Sequence, residues 1–246
     1  MNEPNNEIQF SKPFGNTLVT LAEIDPGATV LDIGMGNGIA TFFPALKKIG
    51  NHGRIIGIDI SDEMVKGVFT KIKEKNIKNA FVIKTDAHNL FFKDNTFDVV
   101  ISGFSYVYTT LKEVYRVLKE GGQVGITTWE RLEDEELMAS CIKEYIPITE
   151  GGTHCDTEKE LKAQLQKAGF QNIEIISKKE VVVYRNKEYW WKEVQEGWGV
   201  HLKKIDDMGP GNLEKFKKEV FKKFLAHNQG LHVHVSALLG FGTKGR

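Results

Sequence analysis

Residues 29–40 read TVLDIGMGNGIA, and this stretch decides the fold. A short run rich in β-branched residues closes on an acid, Asp32, and then on three alternating glycines, Gly34, Gly36 and Gly38. Such a run suits a buried strand. The glycines permit positive φ and let the backbone approach a ligand closely. A helix beginning after the bend would offer unpaired N–H groups at its first turn. The stretch therefore predicts strand, tight bend and helix, the opening of a βα unit.

Working outward, the same alternation continues to Trp129. The apolar runs are TVLDIG (29–34), RIIGIDI (54–60), NAFVIKTD (79–86), FDVVISGF (97–104) and GQVGITTW (122–129). Amphipathic segments at 38–49, 62–76 and 109–119 fall among them. In the last of these, Leu111, Val114, Tyr115 and Leu118 lie at helical spacing, and Gly121 and Gly122 stop it. Ser61 is placed to cap the helix that contains Met64. Strands alternating with helices predict an α/β fold with right-handed crossovers and a mostly parallel sheet. Beyond Trp129 the spacing predicts a helix over 157–170, a strand over 171–184 and a final strand over 231–244. Between those two strands, residues 185–228 read as an inserted helical pair joined by a Met-Gly-Pro-Gly turn. The organisation expected is one domain over 1–246, with a cofactor-binding core at 28–129 and substrate-cap insertions at 130–156 and 185–228.

The composition bounds the function. Of 246 residues 41% are apolar, enough for a real core, and 33 basic residues balance 33 acidic ones. A nucleic-acid binder usually shows a basic excess, so no nucleic-acid partner is expected. The polar start MNEPNNEIQFSKPFG has no signal-peptide core, and no apolar run approaches the roughly 20 residues of a spanning helix. A cytoplasmic protein without stable membrane insertion is expected, and two cysteines, Cys141 and Cys155, make no disulfide framework. His232 and His234 share one face of the final strand, and Cys155 adjoins His154, but neither pair is completed to a metal site, so none is expected.

Two nucleotide cofactors compete for the glycine bend. A dinucleotide site wants G-x-G-x-x-G, with its third glycine where this chain carries Ile39. S-adenosylmethionine (SAM) has no pyrophosphate but bears a positive ammonium and sulfonium, which suits Asp32. Asp59, at the end of the second apolar run, can accept from both ribose hydroxyls, although dehydrogenases use the same device. Asp86 ends the third run, where it can accept from an adenine amine while the Ala87 N–H reads a ring nitrogen. Three acids closing three consecutive strands on one sheet edge are more specific than the glycines alone.

VLDIGMGNG, GIDISDEMV, Asp86-Ala87 and EVYRVLKEGG resemble the class I SAM-dependent methyltransferases. The resemblance is greatest to the small-molecule branch that includes the ubiquinone and menaquinone biosynthesis enzymes, and it covers residues 28–129. It implies a Rossmann-like seven-stranded sheet, helices on both faces, the last strand antiparallel and SAM as cofactor. It also implies that Gly34, Gly36 and Gly38, with Ser102, lie by the methionine moiety. Asp59 would take the ribose, Ile60 and Met64 would flank the adenine, and Asp86 and Ala87 would read its edge.

Aromatic residues outside the glycine bend suggest an acceptor pocket for a flat or apolar small molecule: Phe14, Phe104, Tyr106, Tyr145, Trp190, Trp191 and Trp198. Alternatively, those in the insertion form its own core. His154 and His201 are candidates for a base if the acceptor is a phenol or alcohol. Other readings are a nicotinamide-dependent oxidoreductase, which Ile39 disfavours, and a catalytically silent SAM-fold protein.

Overall fold

The computed structural model describes residues 11–105, 107–130, 133–147, 155–184, 186–227 and 232–245. Among them seven strands form one sheet: β1 (Thr29–Ile33), β2 (Arg54–Asp59), β3 (Ala80–Lys84), β4 (Phe97–Gly103), β5 (Leu118–Trp129), β6 (Gln171–Val183) and β7 (His232–Thr243). Their order is β3-β2-β1-β4-β5-β7-β6. β1 to β5 pair in parallel, and β7 runs antiparallel to β5, from Gln123 opposite Thr243 to Trp129 opposite Ala237. This is the seven-stranded Rossmann-like sheet with a reversed late strand. The strand order turns back between β1 and β4, which is where open α/β sheets bind ligands at their carboxyl edge.

Alternation along each strand sorts side chains to the two faces. One face packs Val30, Ile55, Val99 and Ile101 against α1 (Ser11–Leu21), α2 (Phe42–Ile49) and α3 (Asp62–Glu74), through Leu18, Phe42, Ala45, Ile49 and Val68. The other packs Leu31, Ile33, Ile58 and Val100 against α4 (Leu111–Val117) and α6 (Glu158–Ala168), through Leu111, Val114, Leu161 and Leu165. Each fully buried residue of this kind is worth about 1.5–3 kcal/mol.

Three local differences from the sequence expectation have physical causes. α1 carries Pro13 and Gly15, which disguise its periodicity, yet it buries Phe14, Leu18 and Val19. Pro13 is tolerated because it lies in the first turn. α4 ends at Val117, because Leu118 turns extended (φ −69°, ψ 140°) and pairs with Phe97. β3 ends at Lys84, so Asp86 stands in the following loop.

The chain divides into two compact units, one made of 1–130, 155–178 and 237–246, the other of 131–154 and 179–236. The second is built on α5 (Glu133–Lys143), α7 (Lys187–Asp206) and α8 (Asn212–His227). α7 and α8 are the helical pair expected of 185–228. Among the described residues no helix is long and apolar enough to cross a membrane.

Candidate functional site

The bend after β1 is built as its glycines require. Gly34, Gly36 and Gly38 have φ of 67°, 54° and 80°, and the Gly34 and Met35 N–H groups both donate to the Ile58 carbonyl at the end of β2. Gly34 has a second constraint. A Cβ there would lie 2.5 Å from the Ser105 Cβ. Ser105 is itself held: its hydroxyl donates to that of Ser102 at 2.6 Å, and the Ser102 hydroxyl donates in turn to the Ile33 carbonyl at 2.8 Å. Gly36 differs: a Cβ on it would meet nothing within 4 Å, so its face is open. Close helix–sheet packing, the duty of the third glycine in dinucleotide loops, falls here to Gly57 of β2, where a Cβ would strike Met35 and Phe42.

Asp59 ties the bend to the next helix. One carboxylate oxygen accepts from the Gly36 N–H and the other from the Ser61 N–H, each at 2.8 Å. Ser61 in turn caps α3 by accepting from the Met64 N–H. Each Asp59 oxygen has a further lone pair, and the residue is only half-buried.

Asp32 is fully buried. It shares a face with Val30, so it points into the α1–α2 layer. The Thr41 hydroxyl donates to its Oδ2 at 2.7 Å, and its Oδ1 has no hydrogen-bond partner among the described residues. Burial raises its pKa to about 7, partly offset by the Thr41 hydrogen bond and reinforced by the like charge of Asp59.

The residues expected to meet the adenine are more open. Ile60 is 71% exposed, Met64 is partly buried, and Ala87 packs against the core. Asp86 is exposed, and its Oδ1 accepts from the His88 N–H at 2.9 Å and lies 2.7 Å from His88 Nδ1. These two hydrogen bonds hold the carboxyl below the ordinary carboxylate range. The loop beyond is clamped to α4: Arg116 donates to the Leu90 and Phe92 carbonyls and to Asp94 and Glu113, while Glu113 accepts from the Leu90 N–H. The EVYRVLK motif supplies both side chains of that clamp.

At the ends of β4 and β5 the rings of Phe104 and Trp129 stack, with centroids 4.0 Å apart at 27°. Phe104 is left-handed (φ 59°), and its N–H donates to the Thr127 carbonyl and hydroxyl. Phe14 is fully buried and meets both rings edge-on at 5.9 Å, backing the pair. Sequence reasoning missed Thr41, His88 and Trp129. A strand-end position on the carboxyl edge was the available signal for Trp129. Thr41 reads from sequence as an ordinary helix cap.

In the second unit Trp190 and Trp191 are buried against α8, facing Phe216, Phe221 and Phe224. The Tyr145 hydroxyl donates to Glu219 at 2.7 Å, and burial together with that carboxylate pushes its pKa up to about 12. Trp198 lies 5.5 Å from the His201 ring, both partly buried. Tyr106 and His154 lie outside the described residues.

Comparison with known proteins agrees with this architecture. Residues 30–122 match the family model described as a methyltransferase domain. A demethylmenaquinone methyltransferase of Staphylococcus carnosus is 31% identical over 220 residues, 78% of this chain and 89% of that protein. An aklanonic acid methyltransferase of Streptomyces sp. strain C5 is 32% identical over 126 residues. That match spans 49% of this chain and 57% of the relative. The crystal structure of the YcgJ protein from Bacillus subtilis superposes with a TM-score of 0.62 at 20% identity, covering 95% of this chain and 99% of that one, and so shares the fold. With 31% identity across most of a full-length relative and the matched domain over the glycine bend, the chain belongs to the SAM-dependent methyltransferases.

Proposed function

We propose that this methyltransferase acts on a small, flat or apolar metabolite, with cofactor and acceptor meeting at the carboxyl edge of β1, β2, β4 and β5. The residues present fit the cofactor. The face of Gly36 is open, Asp32 two residues before Gly34 has an oxygen without a partner among the described residues, and Asp59 has spare acceptor capacity. When bound, SAM supplies a methyl carbon activated by its sulfonium leaving group.

The protein's own residues then position and shield. Gly34, Gly36 and Gly38 let the main chain pass under the methionine portion. Asp32 provides negative charge near its positive end. Asp59 accepts from the ribose hydroxyls, a charge-assisted pair of hydrogen bonds. Asp86, through the oxygen not engaged by His88, and the Ala87 N–H take the adenine edge, with Ile60 and Met64 at its faces. Ser102 and Ser105 hold the Ile33–Gly34 backbone in place. In-line displacement needs chiefly alignment and exclusion of water, which such a fixed rim supplies.

The acceptor class rests on the Phe104–Trp129 stack. Both rings are partly exposed, and Phe104 adjoins Ser105, the residue in contact with Gly34. A rigid π face beside the bend suits a flat acceptor. Both named relatives are also called after small molecules. The test is to incubate the protein with isotopically labelled SAM and a metabolite extract and to look by mass spectrometry for compounds heavier by one CH2. Label found only in protein or RNA would overturn the acceptor class. SAM binding without any transferred methyl would indicate a catalytically silent relative.

A further inference from the structure

Thr41 is the residue before α2, the position where a threonine hydroxyl ordinarily caps the helix. Here it makes no capping bond. It donates instead to Asp32, and its methyl is wedged against Gly103, where a Cβ would come within 2.9 Å of Thr41 Cγ2. The wedge leaves the hydroxyl little freedom to turn back to the helix. Asp32 thus has one anchored oxygen, one oxygen without a partner among the described residues, and no exposure to solvent.

The charged surroundings do not favour an anion there. Asp59 on β2 is the charged side chain that acts on Asp32, and it carries the same sign. On α2, Lys48 is engaged by the carbonyls of Val19, Thr20 and Ala22. On β4, Asp98 stands at the far end, paired with Lys119. A buried carboxyl without a compensating cation favours its neutral form.

We propose that on the acid side of neutrality Asp32 stands as the neutral acid in the ligand-free protein, that Thr41 sets how readily it ionises, and that arrival of the positively charged methionine end of the cofactor expels its proton to solvent. The inference rests on reading the glycine bend as the cofactor site. The Asp32 O–H bond breaks, the proton passes to water, and the carboxylate left behind would balance the ligand's positive charge. Cofactor capture is therefore coupled to pH, and Thr41 is a positioning residue acting through Asp32. The raised pKa near 7 places this coupling in the physiological range.

S-adenosylhomocysteine, which bears the ammonium but cannot react, is the probe. Calorimetry in buffers of different ionisation enthalpy counts the protons exchanged on binding. The expected result is release approaching one proton near pH 6 and none near pH 8.5, with affinity rising by up to about tenfold per pH unit below the midpoint. Asp32→Asn abolishes the release. Thr41→Val moves the midpoint upward by about half a pH unit or more, since the lost hydrogen bond favoured the anion, and Thr41→Ser restores it. Difference infrared spectroscopy of the wild type supplies a readout independent of any variant's folding: a protonated carboxyl band disappears when the probe binds near pH 6. Binding without proton release, or release that survives Asp32→Asn, overturns the proposal while leaving the cofactor site intact. Absence of binding at every pH overturns the site assignment and the proposal with it.

Discussion

Gly34 is barred to other residues for two separable reasons, and a double-mutant cycle tells them apart. Its φ of 67° costs an L-residue about 1–2 kcal/mol. Its contact with Ser105, 2.5 Å from an added Cβ to the serine Cβ, adds about 1–3 kcal/mol of overpacking. Gly34→Ala should therefore destabilise by about 2–5 kcal/mol in urea unfolding followed by tryptophan fluorescence. In the Gly34→Ala background, Ser105→Gly removes the colliding carbon and should recover the packing part, leaving the backbone part. Ser105→Ala keeps that carbon and should recover little. The coupling energy between Gly34→Ala and Ser105→Gly is expected at about 1–3 kcal/mol. Coupling within about 0.3 kcal/mol of zero, or equal rescue by Ser105→Ala, would refute the packing argument.

Other outcomes follow from the same geometry. Asp59→Asn should weaken SAM binding at least tenfold, about 1.4 kcal/mol by calorimetry, and unchanged affinity would remove Asp59 from the ribose site. Folding lifts the Asp32 carboxyl from its ordinary 3.8 to about 7, so the folded state holds that proton more tightly. Stability conferred below pH 4 is thus lost as pH rises from about 4 to 7, and the burial cost stands in full above that range. Asp32→Asn should accordingly gain about 2–3 kcal/mol on the wild type between pH 5 and pH 8 in parallel urea titrations, and superimposable pH profiles would contradict this. Arg116→Ala frees the Leu90 and Phe92 carbonyls and should raise hydrogen-exchange rates in the 88–95 segment while costing about 1–3 kcal/mol; unaltered exchange there would show that the clamp holds nothing. Replacing the Phe104 ring in Phe104→Ala should lower kcat/KM for a flat acceptor by about tenfold or less, with SAM affinity kept, whereas a loss confined to SAM binding would move Phe104 to the cofactor side.

The sheet was legible because buried parallel strands leave near-continuous Val and Ile runs, as in RIIGIDI and FDVVISGF. The bend was legible because three alternating glycines have few other uses. α7 and α8 showed in their spacing and in the turn between them. What escaped depended on partners distant in the chain. α1 was hidden by Pro13 and Gly15, since its helical character comes from burying Phe14 and Leu18 against the sheet. Charge alone places Asp32 beside the bend in the sequence, whereas its side chain is held by Thr41, a residue whose obvious local use is capping. The run NAFVIKTD puts Asp86 at a strand end, but β3 stops two residues earlier and His88 claims one of its oxygens. Trp190 and Trp191 were equally compatible with a pocket and with a core. Periodicity shows that they share burial, not what they bury against, and in the structure that is α8.

The left-handed backbone at Phe104 narrows how this site can diversify. Holding a non-glycine residue there costs about 1–3 kcal/mol, and only glycine, asparagine and aspartate adopt that conformation readily. β-Branched replacements would have to unwind the end of β4. Leucine and methionine, unbranched at Cβ like the phenylalanine already there, would bear the same cost and keep the main chain. A change of acceptor made through this position would therefore run through unbranched side chains, with valine, isoleucine and threonine left out of the series.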